Sequence, residues 1–285
     1  MPFEQLLKEK GSLLTRSQRR LMEFILSHED ESIFLKIEDL AARVNVSVAT
    51  VVRLSKAMGF GGFPEFQKEL RLLFRNKLTT TSRLQRTVDK VTNEGDVLIK
   101  TLQTDISNIE ETLKQTSTEE FRRFVHAIDS AQRIIIVGLR SVYSLASFFG
   151  TALKFLQKNV SVIQPGIGDM WDQLLRLRKG DLVIGISFPR YTRETVDVIR
   201  FSKRKGITTL AVTDTLMSPL ARHADHVLTA HCKMDSFIES FTAPLSLINA
   251  VVTALGVKNK KSTMNSLKEL EEIWEIRQIY HSIEK

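Results

Sequence analysis

The chain has 285 residues, 42% of them hydrophobic and 26% charged, which fits an ordinary globular protein with room for two domains and at least one sizeable core. Forty-one Lys and Arg against 33 Asp and Glu leave a formal charge of +8, and a lone cysteine, Cys232, excludes an internal disulfide. No run of 18 apolar residues exists, and Met1-Pro-Phe-Glu-Gln5 lacks the cationic start and apolar core of a secretory leader. A soluble, basic, cytoplasmic protein with no membrane partner is expected.

In chain order, Thr15-Arg-Ser-Gln18 reads as a capping box. It opens a helix with Leu21, Phe24, Ile25 and His28 inward, His28 being a helix-end residue rather than a ligand. Residues 40–54 then carry apolar side chains at Leu40, Val44, Val46, Val51 and Leu54. Leu40 and Val44 share one helix face, and small Ala41 and Ala42 permit close approach of a second helix. Asn45 suits a left-handed turn, and Ser47 suits an N-cap over Ala49 and Thr50. Val51, Leu54 and Met58 form the buried stripe of the second helix, which Gly59 ends. This is a helix-turn-helix.

Stepping about 100° per residue places Ala49, Arg53 and Lys56 opposite that stripe, with Thr50 and Val52 on its flanks. Ser47, Ala49, Thr50, Val52, Arg53 and Lys56 are the candidate DNA contacts. Thr50 and Ala49 would meet base edges, Val52 a thymine methyl, and Arg53 a guanine or phosphate. From Arg43 to Lys90 there are ten Lys and Arg and three acids, so +7 of the net +8 lies there. Such concentration is the footprint expected for phosphate contacts with double-stranded DNA. An ordinary helical hairpin with a solvated basic face is the plainer alternative.

Gly59-Phe-Gly-Gly-Phe-Pro64 reads as a turn, with Pro64 at the start of a helix carrying Phe66, Leu70, Leu73 and Phe74. Residues 1 to about 75 can close an all-helical domain. The polar, basic stretch 76–95 reads as a linker. From Asp96 a helix carries one apolar stripe, Leu98, Leu102, Ile106, Ile109 and Leu113. It can pack on its own domain or on the same helix of a second copy. Ser117-Thr-Glu-Glu120 reads as a second capping box, opening a helix to Asp129.

The period then changes. Arg133-Ile-Ile-Ile-Val-Gly138 is a β-branched run without polar alternation, as in a strand buried on both faces. Val160–Ile163, Asp181–Ser187, Thr208–Thr213 and His226–Ala230 follow as strands. Helices are expected at 142–157, 169–178, 192–205 and 217–223. The alternation predicts an α/β unit, a parallel sheet of about five strands with helices on both faces. A long apolar helix, 238–256, covers it. Lys258-Asn-Lys-Lys261 breaks the pattern before an amphipathic end, Leu267–Ile283, placed to reach another subunit.

In such sheets ligands sit beyond the strands' carboxyl ends, at helix N-termini. Two loops stand there, Val137-Gly-Leu-Arg-Ser141 and Ser187-Phe-Pro-Arg-Tyr-Thr-Arg-Glu194. Hydroxyls from Ser141, Ser187 and Thr192 and guanidinium forks from Arg140 and Arg190 describe an anion site. Gly138 and Tyr191 complete the loops. Glu239 either enters the pocket or is a first-turn acid of the covering helix. The candidate ligand set is therefore Gly138, Arg140, Ser141, Ser187, Arg190, Tyr191, Thr192 and Glu239. His223, His226, His231 and Cys232 are close in sequence but match no metal-ligand spacing. No metal, no cofactor and no catalytic set is expected.

Leu14-Thr-Arg-Ser-Gln-Arg-Arg20, Val46-Ser-Val-Ala-Thr-Val-Val-Arg53 and Gly59-Phe-Gly-Gly-Phe63 resemble the N-terminal domain of RpiR-type (MurR/RpiR) bacterial transcriptional regulators. Ile135-Ile-Val-Gly138, Asp181-Leu-Val-Ile-Gly-Ile-Ser187, Thr192-Arg-Glu194 and Val212–Asp225 resemble the sugar isomerase (SIS) domain that these regulators carry. The resemblance covers nearly the whole chain. It implies a helix-turn-helix domain over 1–77, a linker and connecting helix over 78–116, a doubly wound, flavodoxin-like SIS domain over 117–257, and a C-terminal helix over 258–285. It also implies a one-component regulator of carbohydrate or related catabolic genes, binding operator DNA as a homodimer or tetramer and sensing a phosphorylated sugar or related anion. Repressors and activators both occur in the family.

SIS domains commonly read Gly-x-Gly-x-Ser after the first strand. Here Arg140 stands at the second glycine and Val142 at the serine. The second loop is commonly Ser-x-Ser-Gly-x-Thr-x-Glu. Here Ser187, Thr192 and Glu194 match, while Pro189 and Arg190 replace serine and glycine. An anion held by arginine more than by serine is expected, whether a phosphosugar, a sugar acid or another carboxylate. A pocket with only a structural role is the alternative. An aldose–ketose isomerase needs a base such as Glu239 but leaves the basic domain unexplained. A sugar sensor acting on a protein partner leaves it unused.

Overall fold

The structure, a computed structural model, describes residues 14–28, 32–77, 80–88, 93–164, 166, 170–216, 218–233 and 237–281, without the side chains of 27, 72–77, 82–83 and 86–87. The chain divides into two compact units, residues 1–98 with 235–238 and residues 99–234 with 239–285.

The first unit contains helices α1 (Arg16–Ser27), α2 (Ile37–Arg43), α3 (Val48–Ala57), α4 (Phe63–Lys77) and α5 (Thr80–Val88). The capping box of α1 is complete: Gln18 N–H donates to Thr15 Oγ1, and Thr15 N–H donates to Gln18 Oε1 at 2.9 Å. Leu21 and Ile25 are buried, and Phe24 is half-buried. His28, expected inward, is instead exposed at the helix end and stacks on Phe24, ring centroids 4.3 Å apart. Leu40, Val51, Leu54, Met58, Phe66 and Leu70 are buried as well. The side chains of Leu73 and Phe74 lie outside the described residues. Gln67 and Arg71 of α4 donate to the carbonyls of Leu35 and Ile33 at 2.6 and 2.9 Å, fastening the approach to α2. The stretch read as a linker, 76–95, carries α5 and the start of the next helix, α6 (Glu94–Gln115), with 78–79 and 89–92 outside the described residues.

In the second unit, five strands form one parallel sheet in the order β2-β1-β3-β4-β5. They are β1 (Ile134–Val137), β2 (Val160–Val162), β3 (Leu182–Ile186), β4 (Thr208–Thr213) and β5 (His226–Thr229). Between and after them run α7 (Thr118–Ser130), α8 (Tyr143–Phe155), α9 (Met170–Leu175), α10 (Arg193–Arg204), α11 (Thr242–Lys258) and α12 (Lys260–Ile276). Alternation along the strands sorts the two faces. Ile134, Ile136, Ile184, Leu210 and Val212 face α7, α8 and α11, through Phe124, Phe149 and Val251 among others. Ile135, Val137, Val183 and Ala211 pack with Leu174 of α9 and Val198 and Ile199 of α10. Burial on both faces explains the unbroken apolar runs. Gly185 in β3 permits close approach of α10, because a Cβ there would lie 2.6 Å from Ile199 Cγ1.

Several local expectations are corrected. Of the helix expected at 217–223, residue 217 lies outside the described residues, and 218–223 hold only a 3-10 turn, Ala221–His223, where Pro219 interrupts the pattern. The expected break at Lys258–Lys261 is present but only one residue long. Asn259 separates α11 from α12, which begins at Lys260 rather than Leu267, and the Asn259 side chain donates to Asp129 Oδ1 at 2.6 Å. Ser117 accepts from Glu120 N–H at 3.3 Å, but the box is not reciprocal. Glu120 Oε1 instead accepts from Val227 N–H at 3.1 Å, so an edge-strand donor takes the carboxylate. Among the described residues, no helix is long and apolar enough to cross a membrane.

Candidate functional site

The helix-turn-helix is held by its own backbone. Asn45 lies at φ 53, in the left-handed region, and Val46 N–H donates back to Ala41 O at 2.9 Å. Arg20 of α1 donates to the Val44 carbonyl, pinning the turn from outside. Ser47 Oγ accepts from Thr50 N–H at 3.2 Å, the N-cap of α3. Val51, Leu54 and Met58 are fully buried. Ala49, Arg53 and Lys56 are exposed, and Thr50 and Val52 are half-buried on the flanks. Two residues escaped the sequence reading. Val48 is an exposed apolar side chain at the helix start. Ser55 is buried and returns its hydroxyl to Val51 O at 3.0 Å, so its polarity did not mark an outer face.

In the second unit, β1 and β3 are neighbours, paired Val137 to Gly185. From β1 the chain moves outward to β2 and then returns to the other side as β3, so the topological switch lies between them. Ligands of open α/β sheets bind at this crevice, and both candidate loops leave these two strands. In the first, Gly138 is buried and packed, with a Cβ position 3.1 Å from Ala146 Cβ. Arg140 and Ser141 are exposed. In the second, Ser187 is buried, and its Oγ accepts from Thr192 N–H at 3.3 Å across the loop. Thr192 occupies the N-cap position of α10, yet its side chain makes no capping bond. Tyr191 OH donates to Asp214 at 2.8 and 3.0 Å, tying this loop to the end of β4. Glu239 precedes α11 and is not in its first turn, which removes the helix-dipole reading. It is half-buried.

A model of the SIS domain matches residues 127–254, and a model of the helix-turn-helix domain, rpiR family, matches residues 1–77. An uncharacterized HTH-type transcriptional regulator of Haemophilus influenzae is 30% identical over 227 residues, 78% of each chain. The chain belongs to the rpiR family of helix-turn-helix transcriptional regulators with a SIS domain. The regulator HexR of Escherichia coli K12 is 25% identical over 264 residues, 91% of this chain and 89% of HexR. The sugar isomerase domain of an RpiR transcription factor from Sphaerobacter thermophilus is 32% identical, with a TM-score of 0.59, covering 61% of this chain and 97% of that one. The Vibrio vulnificus NanR protein complexed with ManNAc-6P shares the fold at 20% identity and a TM-score of 0.64, covering 96% and 98%.

Within this rpiR-family chain, the two departures from the SIS glycine pattern have a common backbone signature. Arg140 lies at φ 61 and Arg190 at φ 65, both in the left-handed region where glycine is at ease. The glycines are gone but the conformation that asks for them is kept. Away from the loops, His226 Nδ1 faces Glu120 Oε1 at 3.2 Å. Among the described residues, no three His, Cys, Asp or Glu side chains are grouped to hold a metal.

Proposed function

We propose that the protein is a one-component regulator in which α3 reads operator DNA and the β1 and β3 loops sense a small anionic metabolite, a phosphosugar or sugar acid. The observation that carries the sensing half is the pair of left-handed arginines at the switch-point strand ends. Such strain is retained where a side chain has work to do, and a guanidinium fork suits phosphate or carboxylate. Gly138, Arg140, Ser141, Ser187, Arg190, Tyr191, Thr192 and Glu239 form the effector set. Complexation of ManNAc-6P by the NanR fold relative supports the ligand class. Ala49, Thr50, Val52 and Arg53 meet base edges, while Ser47 and Lys56 position the helix on phosphates.

The regulator acts in the cytoplasm as a homodimer or tetramer, each pair of α3 helices reading two half-sites an integral number of turns apart. It is not an isomerase. Isomerisation needs a base and a partner acid at C1–C2, and Glu239 is the sole carboxylate in the effector set. Mapping where the protein sits on its genome, followed by gel-shift titration of the recovered site with anionic metabolites, tests this reading. Site-specific binding that an anionic sugar derivative shifts is expected. Absence of specific sites, or turnover of sugar phosphates by the pure protein, overturns it.

A further inference from the structure

Helix α6 is dressed against the usual rule. Its apolar side chains Leu102, Ile106 and Leu113 are 54%, 58% and 78% exposed, whereas its polar Asn108 and Thr112 are 2% and 5% exposed. Asp105, Asn108 and Thr112 are spaced to share one face, and all three bind the connection from β5 to α11. Asn108 uses its side-chain amide as a strand uses its backbone: Nδ2 donates to Lys233 O at 2.8 Å, and Oδ1 accepts from Lys233 N–H at 3.1 Å. Thr112 Oγ1 accepts from His231 N–H at 2.9 Å and donates to Asn108 O at 2.7 Å. Asp105 accepts from Ser240 Oγ and, at 2.9 Å, from Thr242 Oγ1. The same connection carries Phe241, whose ring packs on Phe188 with centroids 6.1 Å apart. Phe188 is buried in the second effector loop, between Ser187 and Pro189.

We infer that Asp105, Asn108 and Thr112 staple α6 to the β5–α11 connection, so that a change in the Ser187–Thr192 loop is delivered through Phe188 and Phe241 to the helix that continues towards the DNA-binding domain. The inference rests on the effector-loop reading above and names its route of regulation. A buried polar bracket suits this task, because its bonds are directional and losing one strands a partner group. Apolar packing alone would allow α6 to slide. The helix starts at Glu94, before the unit boundary at 98/99, so it is continuous in sequence with the N-terminal unit.

The test is hydrogen exchange on the full chain, with Arg190→Gly as the perturbation in the loop. Amides of 102–115 are expected to change their exchange rate at least threefold in the otherwise unaltered protein. In Thr112→Val and, independently, Asn108→Ala backgrounds, that response should vanish. Exchange in 102–115 that ignores Arg190→Gly overturns the inference, as does an undiminished response in both backgrounds. Thr112→Val keeps side-chain shape, so at least one background remains folded. Operator binding and the thermal shift with inorganic phosphate are read on the parent protein. Absence of both there, with exchange coupling intact, counts against the sensor reading and leaves the staple standing.

Discussion

A left-handed backbone costs a residue with a Cβ about 1–2 kcal/mol that glycine does not incur. Arg140 and Arg190 both bear that cost. Arg140→Gly and Arg190→Gly should therefore leave stability within about 1 kcal/mol of the parent or raise it, once glycine's unfolded-state entropy of about 0.5–1 kcal/mol is set against the relief. The thermal shift given by anionic metabolites should fall in both. Denaturant titration with and without a phosphosugar separates the two effects, and a stability loss well beyond 1 kcal/mol would show that these arginines serve the fold. The replacement of glycine by arginine was legible in the sequence, but the sign of φ was not, since it depends on how each loop turns from its strand. On α3, Arg53 stands exposed opposite Val51 and Leu54. Arg53→Ala should weaken operator binding by about 1–3 kcal/mol if it reads a base. If it meets a phosphate instead, the salt slope should fall by about one unit and all sequences should suffer equally. Competition binding at several salt concentrations decides between them.

At the scale of elements, Asp129 in α7 joins three pieces of chain. It takes hydrogen bonds from Lys158 at 3.0 Å and Asn259 at 2.6 Å, and pairs with Lys258 at 3.1 Å. Burial pushes its carboxyl up, but the bonds from Lys158, Asn259 and Lys258 outweigh burial and lower it from 3.8 to about 2. A lowered carboxylate stabilises the fold above its unfolded value and loses that contribution as pH falls towards its folded value. The parent should therefore lose melting temperature between about pH 4 and pH 2, and Asp129→Asn should show a flatter profile there while being less stable at pH 7. Scanning calorimetry across that range provides the check, and parallel acid limbs would contradict it. Period and capping residues disclosed most of the elements, since burial on both faces leaves β-branched runs that local sequence shows directly. The fate of Glu120 was not legible, because the Val227 donor that takes it lies at the sheet edge, far along the chain.

For the whole molecule, the apolar stripe of α6 is the surface on which self-association is predicted. Leu98, Leu102, Ile106 and Leu113 are each more than half exposed, and exposed apolar side chains lined along one helix face suit an interaction surface. A second copy is the expected cover, in keeping with two half-sites on the operator. Replacing Leu102 and Ile106 together by Glu should convert the protein to monomers in sedimentation and abolish tight operator binding, while the sheet domain stays folded by circular dichroism. An unchanged sedimentation coefficient would place the subunit contact elsewhere.

By itself the sequence determined the helix-turn-helix, the buried face of α3 and the parallel sheet, because each follows from spacing and capping within a few residues. It also marked the two loops, since strand ends and helix starts are local signals. Only the tertiary structure decided which face of α6 turns inward. A helix's apolar stripe says that something must cover it, not that its own domain will. The sequence reading followed the apolar stripe and passed over Asn108 and Thr112, because their partners Lys233 and His231 are brought to them across more than a hundred residues by the winding of the sheet.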